Sequence, residues 1–331
     1  MKYINKLSLP RTIILICVIS ILSFFSYLNY SLNKNIYNYE NFSFQVNSGE
    51  SVSKVINKLK EKGLIDSDLR IKIISYIYNI KPRFIIGKYL VEKNETENTL
   101  LRKLLTGQVI QNFITIIEGS TYKEILLTLK DSKLIKFNKN INYSEKIFPS
   151  KIKFVTPEGT CFPDTYKFSS GISVDKFLSK CSRNMEDILM KYWKVRDYSL
   201  PYKTPYEMLI MASIIEKETS DFYEKPIVAS VFINRLNKKM RLQADPTVIY
   251  GIKNFDGDIT KKDLMANNEY NTYRINGLPK TPICSPGERS IEAASKPAIS
   301  DYLYFVANNK GKHVFSTNYK DHVKAVNKYQ K

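Results

Sequence analysis

The stretch Pro205–Ser220, PYEMLIMASIIEKETS, carries the residues best suited to acid–base chemistry. Thr204 is placed to cap a helix here, and Pro205 fits its first turn, where the missing N–H would have had no intrahelical partner. Leu209, Ala212 and Glu216 fall on one face, because positions 209 and 216 lie two turns apart. Glu216 therefore continues an apolar face, and a desolvated carboxyl holds its proton more tightly. A carboxyl raised to about 6 is in the range of a glycosidase general acid. Glu218 points about 200° away around the axis and is expected to be solvated. A helix-end glutamate paired with Lys217 or a nearby arginine would fit the same pattern, so periodicity alone leaves both readings of Glu216 open.

Two further segments hold groups that a sugar site needs. Gln243-Ala244-Asp245-Pro246-Thr247 is polar, with Asp-Pro initiating a turn, and Asn271-Thr272-Tyr273 is followed by Gly277-Leu278-Pro279. Amides and hydroxyls bond to sugars and aromatic faces stack on them, although structural turns have the same composition. The two histidines, His313 and His322, have no cysteine close by, and Cys161, Cys181 and Cys284 are far apart without a C-x-x-C. Neither a metal site nor a dense disulfide framework is indicated.

The elements around these residues follow from pattern. Thr12–Leu28 is an uncharged apolar run, which as a helix spans roughly 26 Å, near the lower limit for crossing a bilayer. Lys2, Lys6 and Arg11 precede it, so the N-terminus is expected in the cytoplasm. The polar stretch after the run has no A-x-A-like cleavage site, which favours an uncleaved signal anchor over a signal peptide. Phe42–Val46 alternates as a strand, the turn Asn47–Glu50 follows, and Val52, Val55, Ile56 and Leu59 recur with helical spacing. Asp66–Asn79 is a second helical pattern stopped by Pro82, Tyr89–Val91 is a strand, and Thr99–Leu105 is a helix with Gly107 as its cap. Gln108–Ile117 is a further strand, Thr121-x-x-Glu124 is a capping box, and residues 132–155 form a loop. An amphipathic helix ends near Met240.

The chain has 331 residues, 43% of them hydrophobic, and a formal net charge of +19. That charge favours polyanionic surroundings such as nucleic acid, anionic lipid or an acidic wall polymer. An A/T-biased composition rich in Lys, Ile and Asn produces the same excess, so the charge names no partner. With the chain beyond the anchor outside the cytoplasm, a nucleic-acid role is not expected.

Several stretches together resemble the YceG-like endolytic murein transglycosylases. They are Glu118-Gly119; Pro157-Glu158-Gly159 with Phe162-Pro163-Asp164-Thr165-Tyr166; Ala212–Thr219; Leu242-Gln243-x-Asp245 through Gly251; Tyr270–Tyr273 through Pro279; and Tyr302–Ala307 with Gly311-x-His313-x-Phe315. Their order and spacing span nearly the whole chain. The sequence departs from the family pattern at Lys280, Ser285-Pro286-Gly287 and Cys161. The resemblance implies an α+β protein with a single N-terminal transmembrane helix, a small LysM-like α+β domain and a larger α+β catalytic domain. The boundaries read as 1–11 cytoplasmic, 12–31 anchor, 42–110 LysM-like and 111–331 catalytic. It implies Glu216 as catalytic residue, with Gln243, Asp245, Thr247, Asn271 and Tyr273 as substrate-positioning candidates; Asp245 either assists electrostatically or shapes its turn. The implied reaction cleaves the bond between N-acetylmuramic acid and N-acetylglucosamine in nascent glycan, gives 1,6-anhydro ends, and needs no cofactor. Expected partners are peptidoglycan glycan strands, the cell (inner) membrane and peptidoglycan synthases, with the catalytic domain extracytoplasmic (periplasmic). The alternative is a non-catalytic, membrane-anchored wall-binding protein. A pyridoxal-phosphate lyase would need a Schiff-base lysine and a phosphate cup, and a serine acyl-enzyme built on Ser51-x-x-Lys54 lacks its supporting motifs.

Overall fold

The computed structural model describes residues 8–36, 40–47, 49–77, 79 and 83–330. Lys2, Lys6, Ser48 and Pro82, which enter the sequence argument above, lie outside them. The chain divides into two compact units, Met1–Asn112 with Phe168–Gly171, and Phe113–Lys167 with Ile172–Lys331.

The first unit opens with α1 (Ser8–Leu32). Its segment Ile13–Tyr30 has mean hydropathy 2.1 and none of it is buried, so this helix is long and apolar enough to cross a membrane. Then follow β1 (Phe42–Val46), α2 (Val52–Glu61), α3 (Leu69–Ile77), β2 (Gly87–Val91) and α4 (Glu97–Thr106). β1 and β2 pair antiparallel, Phe42 opposite Val91 and Val46 opposite Gly87. The alternation of β1 puts Phe44 and Val46 into a core with Val55, Leu59, Ile74, Tyr89, Leu100 and Leu104. Gly107 ends α4 at φ 77°, the left-handed conformation that glycine adopts without a Cβ clash.

Next come β3 (Gln111–Thr115), α5 (Tyr122–Asp131), β4 (Thr165–Ser169), α6 (Val174–Lys194), α7 (Pro205–Glu218), α8 (Lys225–Asn237) and α9 (Asp245–Gly251). The chain ends with α10 (Lys261–Met265), α11 (Glu288–Ser295), β5 (Tyr304–Ala307), β6 (His313–Ser316) and α12 (Tyr319–Tyr329). β3 pairs with β4, and β5 with β6. Thr121 and Glu124 form the expected capping box on α5. Thr204 caps α7 with Pro205 in the first turn, also as expected.

The core of the second unit is built around α7, which packs against α6, α8, α9 and α11. Met208 to Ile215 are all buried. The helix thus has no single apolar face; it is enclosed on every side through its middle. That removes the premise by which facing distinguished Glu216 from Glu218, because past the enclosed middle different neighbours line each side of the last turn. Cys161 is bonded to Cys181, tying the Pro157–Pro163 segment to α6. This accounts for a cysteine where the family pattern has a bulky residue.

Candidate active site

Glu216 is held by three donors. Lys225 Nζ lies 3.0 Å from Oε1, while the Gly287 N–H at 3.0 Å and the Ser290 hydroxyl at 2.6 Å both reach Oε2. Lys225 also donates to the Ser290 oxygen at 2.8 Å. The ion pair is nearly sealed, with side-chain exposures of 5% for Lys225 and 7% for Glu216. Glu216 fastens α7 to α8 and to the start of α11. A side chain at Gly287 would meet the end of the Glu118 side chain, which packs against this joint. A cavity of about 450 Å³ beside it is lined by Glu118, Glu216, Glu288 and Arg289 among others. Burial, and then the charge of Glu216, push the Glu118 carboxyl above its ordinary value.

Glu218, the last residue of α7, has the opposite environment. The sequence reading that it is solvated is wrong: the residue is half-buried and protein crowds its carboxyl. Desolvation first, and then the nearby charge of Asp245, raise it to about 8, against a partial offset from Arg235. No hydrogen bond contributes to that balance. It opens on a cleft of about 460 Å³ lined by Gln243, Asp245, Tyr273, Tyr304, His313 and His322, among others.

The walls of this cleft are held in place by hydrogen bonds among the residues that line it and their neighbours. The Arg235 guanidinium donates to the carbonyls of Leu303 and Leu242 at 2.7 and 2.5 Å, fixing the segments that carry Tyr304 and Gln243. Glu224 accepts from the backbone and ring nitrogens of His313 at 2.9 and 2.7 Å, which secures the β5–β6 hairpin. Tyr273 donates to Asp245 Oδ1 at 2.6 Å. Gln243 is held at φ 49°, an uncommon conformation for a non-glycine residue and the kind of local strain that collects at functional sites.

Of the five proposed substrate-positioning residues, Gln243, Asp245 and Tyr273 line the cleft with Glu218. Thr247 and Asn271 do not, because both are fully buried. Thr247 donates to the Ala244 carbonyl at 2.7 Å and lies 2.9 Å from the Thr272 hydroxyl. Asn271 donates to the carbonyls of Asp263, Leu264 and Ala266 and accepts from the Tyr273 N–H. Asp245-Pro246 starts helix α9 rather than the expected turn; Thr247 ties the first turn of that helix to the Ala244 carbonyl, and Asn271 shapes the loop that presents Tyr273. Arg235 and His322 carried no distinguishing sequence signal. Tyr304 and His313 belonged to matched motifs without an assigned role. The departure at Lys280 is an exposed ion pair with Glu269.

Residues 44–328 match the model of the YceG-like family. An endolytic murein transglycosylase of Bacillus subtilis is 33% identical over 318 residues, covering 87% of this chain and 84% of that protein. Another, from Streptococcus pneumoniae, is 26% identical over 312 residues, which is 83% of this chain and 56% of that protein. The fold is similar to the crystal structure of a yceG-like protein from Listeria monocytogenes, with TM-score 0.53 and 28% identity over 86% of this chain and 99% of that one. The chain belongs to the YceG-like family.

Proposed function

We propose that this chain is an endolytic lytic transglycosylase of peptidoglycan and that Glu218, rather than Glu216, is its catalytic acid. The observation that carries the assignment is the desolvated Glu218 carboxyl beside Asp245 in a cleft of tyrosine and amide groups. A general acid must hold a proton at neutral pH, which this setting favours, whereas the Glu216 carboxyl is engaged by Lys225, Ser290 and the Gly287 N–H in a joint between helices. The naming of the Bacillus subtilis relative supports the substrate class.

In this reading Glu218 donates its proton to the glycosidic oxygen between N-acetylmuramic acid and N-acetylglucosamine as that bond breaks. The resulting carboxylate takes the proton of the muramic acid C6 hydroxyl, whose oxygen closes on C1 of the same ring. The products are a free N-acetylglucosamine hydroxyl and a 1,6-anhydro end, and Glu218 is protonated again. The nucleophile is intramolecular, so the cleft has chiefly to hold the ring in a reactive pucker. Asp245, fixed by Tyr273, both keeps the proton on Glu218 and stabilises positive charge developing at C1.

The apolar helix α1 serves as a membrane anchor, with the cytoplasmic side set by the basic residues before it. The Cys161–Cys181 bond supports an oxidising, extracytoplasmic location for the second unit. The small β1–α2–α3–β2 unit acts as a LysM-like glycan holder, and the synthases that extrude new strands are the expected neighbours. The test uses full-length protein in detergent on uncrosslinked glycan, with products read by mass spectrometry. Anhydro ends from wild type and from Glu216→Gln, but not from Glu218→Gln, are expected. Reducing ends would mean hydrolysis, and no cleavage by folded wild type would leave a wall-binding protein.

A further inference from the structure

The second unit has another cavity, of about 520 Å³, whose residues the proposed reaction does not use. It adjoins the Glu218 cleft through two shared segments. α9 gives Asp245 to the cleft and Tyr250 to the cavity. The segment after α10 gives Tyr273 to the cleft and Tyr270 to the cavity. Five helical residues advance about 7.5 Å and turn through about 140°, so the cleft and the cavity flank α9 on different sides, within reach of one extended strand.

The cavity is built rather than incidental. Glu158, buried at 6% exposure, accepts from the Tyr122 N–H at 2.9 Å, the Gly159 N–H at 3.3 Å and the Tyr250 hydroxyl at 2.9 Å. The last bond fixes the Tyr250 ring. Tyr270 meets that ring edge to face at 4.9 Å, and its own hydroxyl is 3.1 Å from Thr281 Oγ1. Leu126 adds apolar wall, and exposed Ser144 sits on the rim. Orientated aromatic rings, apolar wall and a few fixed polar groups are the composition that holds a sugar ring with its acetyl group.

We propose that this cavity is a second saccharide subsite, which holds a sugar of the same glycan strand whose bond lies at Glu218. It rests on the reading of the Glu218 cleft given above, and it adds Tyr250 and Tyr270 to the residues that grip the strand.

The test measures binding of peptide-free, uncrosslinked glycan strands to full-length Glu218→Gln protein in detergent by calorimetry. Two variants are added to that background. Ser144→Trp fills the cavity from an exposed rim position, and Tyr270→Leu removes an aromatic face while keeping apolar bulk. Each is expected to weaken binding roughly tenfold, the loss of one good contact. With Glu218 restored, each should raise KM rather than lower kcat. Unchanged affinity in both folded variants overturns the proposal. So does a loss seen only with strands that carry stem peptides, which would assign the cavity to peptide. Retained cleavage by Glu218→Gln would instead defeat the reading of the cleft, and the binding measurement would still report on the cavity.

Discussion

Glu216 and Glu218 are separated by one residue at the end of α7, yet Glu216 lies 3.0 Å from the Lys225 ammonium while Glu218 faces the charge of Asp245. One side of the last turn meets α8 and α11, which bring donors. The other meets the start of α9, which brings a second carboxylate. Two identical side chains thereby meet opposite surroundings, one set among hydrogen-bond donors and the other desolvated beside a carboxylate.

Substitution should separate the two roles cleanly. Glu218→Gln is expected to abolish cleavage without lowering the melting temperature, since among the described residues no hydrogen bond to that carboxyl is found. Glu216→Gln strands a buried ammonium and should cost about 3 kcal/mol of stability. Thermal melts beside product assays would check this, and the reverse pattern would return the acid to Glu216.

The pH profile of cleavage carries a second signature. Glu218 is held at about 8, so its acid form persists through neutrality, and kcat/KM should fall tenfold per pH unit above that point. Asp245 raises the Glu218 value, so Asp245→Asn should move the alkaline limb to lower pH. The movement should be partial, because desolvation is the larger cause. An unmoved limb would argue against coupling between the two carboxyls.

Glu158 should make stability pH-dependent. Burial raises its carboxyl to about 7, from an ordinary value of 4.5. A raised folded-state value means that the stabilising contribution is complete below pH 4.5 and is lost as pH rises through 7. The loss at the alkaline end is roughly 3 kcal/mol. Glu158→Gln should flatten the decline in melting temperature between pH 5 and 8, as followed by circular dichroism.

The Cys161–Cys181 bond closes a loop with a sequence separation of 20. Replacing both cysteines by serine should lower stability by about 3 kcal/mol, chiefly by freeing the unfolded chain. Denaturant titration measures the change, and thiol labelling of the wild type under non-reducing conditions should leave both sulfurs unmodified.

Asn271→Ala breaks three side-chain bonds to backbone carbonyls at once. An expected cost of about 3 kcal/mol follows from leaving buried acceptors unpaired. Because the Asn271 side chain also accepts from the Tyr273 N–H, KM should rise through loss of loop shape. A variant with raised KM and unaltered melting would restore Asn271 as a direct ligand.

Local chemistry was legible in the sequence. Thr204 and Pro205 started α7, Thr121 and Glu124 boxed α5, and Gly107 ended α4, because caps depend on residues within one turn of one another. The alternation in Phe42–Val46 gave its strand for the same reason. The apolar run of α1 was readable from composition alone, since crossing a bilayer depends on length and hydropathy. Which glutamate is desolvated was not local. Gly287 and Ser290 are 71 and 74 positions from Glu216, and Asp245 comes to Glu218 on a separate helix. Helical spacing states which way a side chain points, but not what another element places there. Thr247 and Asn271 looked like sugar ligands because turns and sugar sites use the same polar groups, and only burial distinguished them. The sequence determined the caps, the first strand, the apolar anchor and the inventory of acids, but not α6 or α10 to α12, and it read as a turn the Asp245-Pro246 pair that starts α9; tertiary packing decided which acid is desolvated, because desolvation and charge act through space rather than along the chain.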